Sequence, residues 1–300
     1  MINDSQAMAG KTCLVTGAAG GLGRATALGL ARLGATVLMV ARDRASGEVA
    51  ATEIRRLTTP GSVELLFADL SAQGQVRRLA GEVIERHARL DVLVNNAASV
   101  SAERRLSEDR LEMTLATNHL APFLLTTLLA EPLANAAPSR VVNVSSYLHR
   151  SVRAIPWDDL QSERKYAGHA VYNLTKLMNV LFTYELAKRL SGTGVTANCL
   201  HPGWPLKTRL GREEHGIARI FDRLSKIVAK SADEGAQTSL FLASSPDVTE
   251  VTGCYFMNCK PAESSSLSHD ATATARLWEL STELCHLPAA ATDEPGHRRL

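Results

Sequence analysis

Tyr172 and Lys176 stand four residues apart in Tyr172-Asn173-Leu174-Thr175-Lys176, the spacing that puts two side chains on one face of a helix. A phenol with an ordinary pKa of ~10 is a poor base at neutral pH, and an adjacent ammonium stabilises its phenolate. Lowering that pKa by ~2–3 units requires ~3–4 kcal/mol of differential stabilisation, within reach of a close, partly desolvated cation. The pair alone is a weak signal, because Tyr and Lys share many amphipathic helices. It has company. Val141-Val142-Asn143-Val144-Ser145-Ser146 reads as a strand that delivers a serine hydroxyl at its end. Asn95-Asn96-Ala97-Ala98 ends another strand, and Asn118 lies in the long helical stretch that follows. His201-Pro202-Gly203 is a sharp exit that can expose backbone amides to a ligand.

A second constellation precedes these. Thr16-Gly17-Ala18-Ala19-Gly20-Gly21-Leu22-Gly23-Arg24 follows the first apolar run and opens a helix. Gly17 allows the tight turn, and the later glycines let backbone and helix approach a pyrophosphate beside unpaired helix N–H groups. Its place between strand and helix raises this triplet above an ordinary Gly-rich turn. The end of the second strand selects the nucleotide. Ala41 stands where an acid would hold the ribose of NAD, and Arg42 brings a guanidinium suited to a 2′-phosphate. NADP(H) is favoured. NAD(H) stays open, because a shift of two residues would bring Asp43 to the ribose, although a helix start explains Asp43 more plainly. Asp69-Leu70 ends the third strand, where Asp69 either meets the adenine amino group or caps the helix beginning near Ser71.

Positioning such residues takes alternating elements. Short β-branched runs predict strands over 12–16, 36–41, 63–68, 92–95, 140–144 and 194–200, with a late, weak one over 251–256. Helices are predicted between them over 21–33, 45–57, 71–87, 107–133 and 171–190. This alternation implies parallel pairing with right-handed crossovers, hence an α/β, doubly wound parallel sheet with helices on both faces. The alternation lapses over 154–168 and 202–230, after strand ends where open α/β sheets bind ligands, so 147–170 and 202–230 are the expected substrate loops. The Ser/Ala-rich stretch 262–275 and the tail 288–300 read as surface or disordered. No linker divides the chain, and 1–300 is expected to be a single domain.

The 300 residues, 45% hydrophobic and 21% charged, exclude disorder as the global state. With 33 basic and 31 acidic residues the formal charge is +2, too small to argue for nucleic acid or an anionic membrane. The five cysteines are scattered without a CxxC pair, which speaks against a zinc site and a disulfide scaffold. His119, His149, His169 and His201 show no ligand spacing, so no metal is expected. No GxSxG marks a serine hydrolase. No stretch reads as a signal peptide or a bilayer span of ~20 residues, so a cytoplasmic protein without membrane contact is expected.

Taken in order, the glycine pattern, NNAA, the Asn118 helix, NVSS, YxxxK and the Pro-Gly exit make the chain resemble the short-chain dehydrogenase/reductase family over nearly its whole length. The strings at 40–43, 117–126 and 181–187, and the long 147–171 segment with Trp157-Asp158-Asp159-Leu160, resemble its retinol dehydrogenase-like branch and related microbial oxidoreductases. The resemblance implies a single Rossmann-type domain and a catalytic tetrad of Asn118, Ser146, Tyr172 and Lys176. Tyr172 would protonate a carbonyl oxygen in reduction or take the alcohol proton in oxidation. Ser146, rather than Ser145, would hydrogen-bond the same oxygen. Lys176 would lower the Tyr172 pKa and hold the nicotinamide ribose, and Asn118 would hold a water linking Lys176 to solvent. Cofactor contacts are implied for Gly17, Gly21, Leu22, Gly23, Arg42, Asp69, Leu70, Asn95, Ala97, Tyr172, Lys176, Pro202, Gly203 and Thr208. The implied partner is a small, relatively apolar alcohol or carbonyl compound. A homo-oligomer paired through the two long helices stays open.

Two departures matter. NNAA replaces the commoner NNAG, placing the Ala98 methyl beside the nicotinamide ribose. Trp204-Pro205-Leu206-Lys207 separates Gly203 from Thr208, one residue more than usual, which puts the carboxamide contact of Thr208 in doubt. Trp204 either shapes the pocket or packs under a lid. The chain opens almost directly on the first strand, unlike membrane-anchored animal retinol dehydrogenases, and retinoid specificity is not carried over. Two other readings compete. Gly17, Gly20 and Gly23 also satisfy the spacing of extended-type nucleotide-sugar epimerases and dehydratases, but the chain lacks room for their larger C-terminal domain. A catalytically silent dinucleotide-binding scaffold is opposed by the complete tetrad.

Overall fold

Short runs rich in Val, Leu and Thr form β1 (Thr12–Thr16), β2 (Thr36–Ala41), β3 (Val63–Phe67), β4 (Val92–Asn95), β5 (Ser139–Val144) and β6 (Val195–His201). The structure, a computed structural model, describes residues 6–58, 62–203 and 231–288. These six strands run parallel in the order β3-β2-β1-β4-β5-β6. β7 (Tyr255–Met257) joins parallel beside β6, and a two-residue β8 (Lys260–Pro261) pairs antiparallel at the edge. The late strand starts at Tyr255 rather than 251, because Val251 and Gly253 form the turn that leads into it, with Gly253 at φ +69°.

The helices in chain order are α1 (Gly21–Arg32), α2 (Arg44–Arg55), α3 (Gln73–Arg86), α4 (Met113–Leu115), α5 (Ala121–Leu128), α6 (Ala130–Asn135), α7 (Gly168–Arg189), α8 (Ala232–Ser244) and α9 (Ala271–Leu284). Period-2 alternation divides the sheet's side chains between two cores. Leu14, Leu38, Leu93 and Val141 meet α3, α5, α7 and α9. Val15, Met39, Val94 and Val142 meet α1, α2 and α8 on the opposite face. A sheet covered on both faces in this way is a Rossmann-type arrangement.

The single helix expected over 107–133 is broken, for two local reasons. Glu112, fully buried, turns its carboxylate onto the N–H groups of Thr114 and Leu115 at 3.0 and 2.7 Å, which starts the helix at Met113. A π-helical turn, Ala116–Leu120, then precedes α5, whose first turn contains Pro122. Proline lacks the N–H that would bond to the carbonyl four residues back, and here that carbonyl belongs to Asn118.

The segment 262–275 lies at the surface in part, as expected, but it is ordered. Ser264 and Ser268 are buried, a 3₁₀ turn spans Ser266–His269, and Asp270 caps α9 through the Thr272 and Ala273 N–H groups. Ala273, Leu277 and Trp278 recur on one face of α9. Trp278 packs on Phe123 and Phe182 at centroid distances of 4.9 and 6.0 Å, with the Arg189 guanidinium 4.2 Å from its ring centre. The 147–170 loop is fastened as well. Its Trp157 carries the Arg276 guanidinium 4.7 Å above the ring, and its Tyr166 hydroxyl donates to Glu112 at 3.2 Å. Of the expected loop 202–230 only Pro202 and Gly203 lie among the described residues; Trp204, Thr208 and the tail 289–300 lie outside them. No described helix is long and apolar enough to cross a membrane.

Candidate active site

The strand order reverses between β1 and β4, and the chain leaves these strands through Gly17 and Asn96. Such a reversal opens the crevice in which α/β sheets hold ligands. Thr16 locks the two exits together. Its hydroxyl donates to Val94 O at 3.3 Å and accepts from the Asn96 and Ala97 N–H groups at 2.9 and 3.0 Å, while Asn96 Nδ2 donates to Thr16 O at 2.8 Å. Neither Thr16 nor Asn96 was singled out from sequence, although both belong to the motifs. Gly17 sits at φ +67°, and a Cβ there would lie 2.9 Å from Ala97 Cα. At Gly23 a Cβ would lie 2.3 Å from Gly17 O, so only glycine lets α1 close on the turn. The other side is open: around Gly20 and Gly21 nothing approaches an added Cβ within 4 Å. Leu22, between them and Gly23, leans on the α1-side core. No side chain caps α1 and no acid occupies its first turn, which leaves its N–H groups to a ligand. Open space, unpaired amides and a close-packed glycine turn fit the pyrophosphate of a dinucleotide.

At the adjacent strand ends, Arg42 is exposed and Asp43 is occupied. Asp43 Oδ1 accepts from Ser46 N at 2.8 Å as the cap of α2, a bond that holds its carboxyl below the usual range. Asp69 Oδ1 accepts from Ser71 N and Ser71 Oγ at 2.9 and 2.7 Å, leaving Oδ2 outside that turn. It does not cap α3. That helix begins two residues later, where Gln73 N donates to Asp109 Oδ2 at 2.7 Å. Leu70 packs against the core beside it.

The proposed tetrad converges where β5 ends against α7. The Ser146 side chain lies close enough to the Tyr172 hydroxyl to pull its pKa down. Ser145, buried, instead donates its hydroxyl to Lys176 O at 2.7 Å, which makes it the structural member of the serine pair. Lys176, 1% exposed, donates from Nζ to Val144 O at 2.9 Å, and Nζ lies 5.5 Å from the centre of the Tyr172 ring. Asn118, fully buried, accepts from Ser99 N at 2.7 Å and donates to Ser99 O and Thr175 Oγ1 at 2.9 and 3.2 Å. Its own carbonyl, left without a helical partner by Pro122, accepts from Asn179 Nδ2 at 2.9 Å. Asn95 turns inward, donating to Thr126 Oγ1 and Asn143 Oδ1 at 2.9 and 2.8 Å, so its side chain ties β4 to β5 and does not line the crevice. Pro202 and Gly203, the latter at φ +107°, follow β6 on the same edge of the sheet.

The electrostatics differ from expectation. Burial pushes the Tyr172 phenol up to about 12, against the opposing pull of the nearby Ser146 side chain, and lowers Lys176 to about 8. A depressed phenol was expected. The ammonium donates to Val144 O, and the burial of the phenol itself dominates its shift. In the free protein Tyr172 is therefore held as an acid.

The sequence profile of the short chain dehydrogenases matches residues 11–215. The chain belongs to the short-chain dehydrogenase/reductase family. Human retinol dehydrogenase 14 is 44% identical over 294 residues, covering 93% of this chain and 87% of that protein, and relates the chain to the retinol dehydrogenase-like branch. A crystal structure of an uncharacterised protein from Mycobacterium paratuberculosis matches with a TM-score of 0.76 at 34% identity, covering 95% of this chain and 98% of that one. The Pseudomonas aeruginosa RhlG/NADP active-site complex matches with a TM-score of 0.68 at 26% identity, covering 85% and 97%. The chain is an oxidoreductase of this fold, with a dinucleotide as cofactor and a small organic substrate.

Proposed function

We propose that the protein is an NADP(H)-dependent oxidoreductase for relatively apolar alcohols and carbonyl compounds, with Tyr172 as general acid and base. The observation that carries this reading is the placement of Tyr172 on α7 beside Ser146 at the end of β5, with the buried Lys176 Nζ 5.5 Å from the centre of the phenol ring. A phenol kept protonated across the neutral range can give its proton to a carbonyl oxygen, and Ser146 can hold the same oxygen. In the reverse direction Tyr172 takes the alcohol proton. Asn118 anchors this arrangement through Ser99 and Thr175, fixing α7 relative to the chain after β4. NADP(H), when bound, supplies or accepts the hydride. Gly17, Gly21, Leu22, Gly23 and Ala97 would hold its pyrophosphate side and Arg42 its 2′-phosphate. Asp69 and Leu70 would face the adenine, and Lys176, Pro202 and Gly203 the nicotinamide end. One sheet would serve cofactor and substrate alike, so 1–300 forms a single domain. Because the relatives are named retinol dehydrogenases, retinol and its aldehyde are natural first substrates for a test.

Phosphate selection is tested by titrating the protein with NADPH and NADH. One charge-assisted Arg–phosphate contact corresponds to an affinity difference of ~10–100-fold. NADPH is expected to bind tighter by that factor, and Arg42→Ala to erase the preference. Equal affinities in the parent protein would contradict the assignment.

A further inference from the structure

His149 is fully buried three residues after Ser146, and the tetrad gives it no role. Its main-chain N–H and its Nδ1–H both donate to the Ser146 carbonyl, at 3.2 and 2.6 Å. On the other side of the ring, Nε2 accepts from the Ser265 N–H at 3.0 Å. A backbone N–H can only donate, so Nε2 carries no proton and the imidazole is neutral with its hydrogen on Nδ1. The tautomer follows from the contacts. The ring also lies edge-on to Tyr255, at a centroid distance of 5.0 Å.

The partner across this bridge is the segment 263–269, which is tied to both chemistry-bearing elements. Toward the serine turn, the Arg150 guanidinium donates to Glu263 O. Toward α7, Ser264 Oγ is hydrogen-bonded to the Tyr184 hydroxyl at 2.7 Å, and the His269 ring stacks on Tyr184 at 5.3 Å. Tyr184 belongs to the same helix as Tyr172 and Lys176. The Ser146 Oγ accepts from the Leu148 N–H at 3.2 Å, a bond that stays within the turn. His149 carries the Ser146 carbonyl out of its turn to a segment anchored on α7, beside the Arg150–Glu263 link and an Asn173–Ser151 bond from the turn to α7.

We propose that His149 is a positioning residue that pins the Ser146 turn to the 263–269 segment and so fixes the serine hydroxyl against Tyr172. This rests on the oxidoreductase reading above. Three variants separate the halves of the bridge. His149→Asn places a donor where Nδ1 stood and keeps the Ser146 bond, while His149→Gln places an acceptor near Nε2 and keeps the Ser265 bond. His149→Phe fills the space and loses both. Steady-state reduction of all-trans-retinal and nonanal by NADPH, with NADPH affinity measured separately, reads the outcome. Loss of an outer partner that orients a reacting group costs ~10–100-fold in activity. The Phe variant is expected to lose kcat by that factor with NADPH affinity and KM little changed. The Asn variant is expected to fall as well, because its link to the segment is cut, and the Gln variant to recover part of the loss. Parent kcat in the Asn variant would overturn the role of the segment, and parent kcat in the Phe variant the role of His149. Loss of NADPH affinity in step with kcat in all three would show a structural role alone. If the Phe variant does not fold, the Asn and Gln pair still decides. Ser146→Ala, run in parallel, distinguishes the two levels: unchanged turnover there, or a parent chain inactive with both aldehydes, refutes the oxidoreductase reading itself.

Discussion

Lys176 illustrates what residue types at a given spacing do and do not determine. The four-residue interval to Tyr172 puts both on one helical face of α7, and NVSS ends β5 beside it. The direction of the pKa shifts was not legible, because it depends on burial and on where the ammonium points. With Lys176 lowered from its ordinary 10.5 to about 8 in the free protein, its charge is present below pH 8 and lost above it. A ligand held by the ammonium binds the protonated form, so its affinity falls as pH rises through that value. NADPH affinity, followed by fluorescence titration from about pH 6.5 to about 9.5, is expected to decline across pH 8. Lys176→Met should bind weakly and without that step. An affinity independent of pH in the parent would contradict the role given to Lys176. Asn118 shows a second limit. Its place in the motif was readable, but the release of its carbonyl by Pro122 and the acceptance of that carbonyl by Asn179 emerge only from the π-helical turn.

The strands and most helices were legible because β-branched runs and glycine exits mark them with little ambiguity. Three elements were not, among them α8, for which no helix was predicted although Ser231 and Glu234 form a capping box at its start. The helix over 107–133 was read as continuous since its apolar content hides the Glu112 cap and the Pro122 interruption, both of which are visible in the sequence once weighed. α9 was missed because the compositional window 262–275 cuts across it. The signals were the Asp270 cap and the spacing of Ala273, Leu277, Trp278 and Ser281. These residues make α9 part of the core that backs the active site, with Trp278 7% exposed between α5 and α7. Trp278→Ala is therefore expected to cost ~3–5 kcal/mol and lower Tm by roughly 10 °C. An unchanged thermal melt would show that α9 is not packed as core.

At the scale of the whole molecule, one eight-stranded sheet organises both halves of the site along its C-terminal edge. The reversal between β1 and β4 sets the phosphate cradle. The end of β5, against α7, sets the proposed acid Tyr172 and Ser146 side by side. The formal charge of +2 suits this division, since phosphate recognition is assigned to loop amides and Arg42 and needs no basic face. The Thr16 clamp holds the phosphate cradle, while the Asn118 anchor, the His149 bridge and α9 all bear on α7, which carries Tyr172. The account therefore stands or falls on that phenol. The direct measurement is NADPH consumption with all-trans-retinal and nonanal by the parent and by Tyr172→Phe, with NADPH affinity determined for both. Removing a general acid costs ~10²–10⁴-fold in rate. The account predicts a loss in that range at unchanged NADPH affinity; parental turnover by Tyr172→Phe would contradict it.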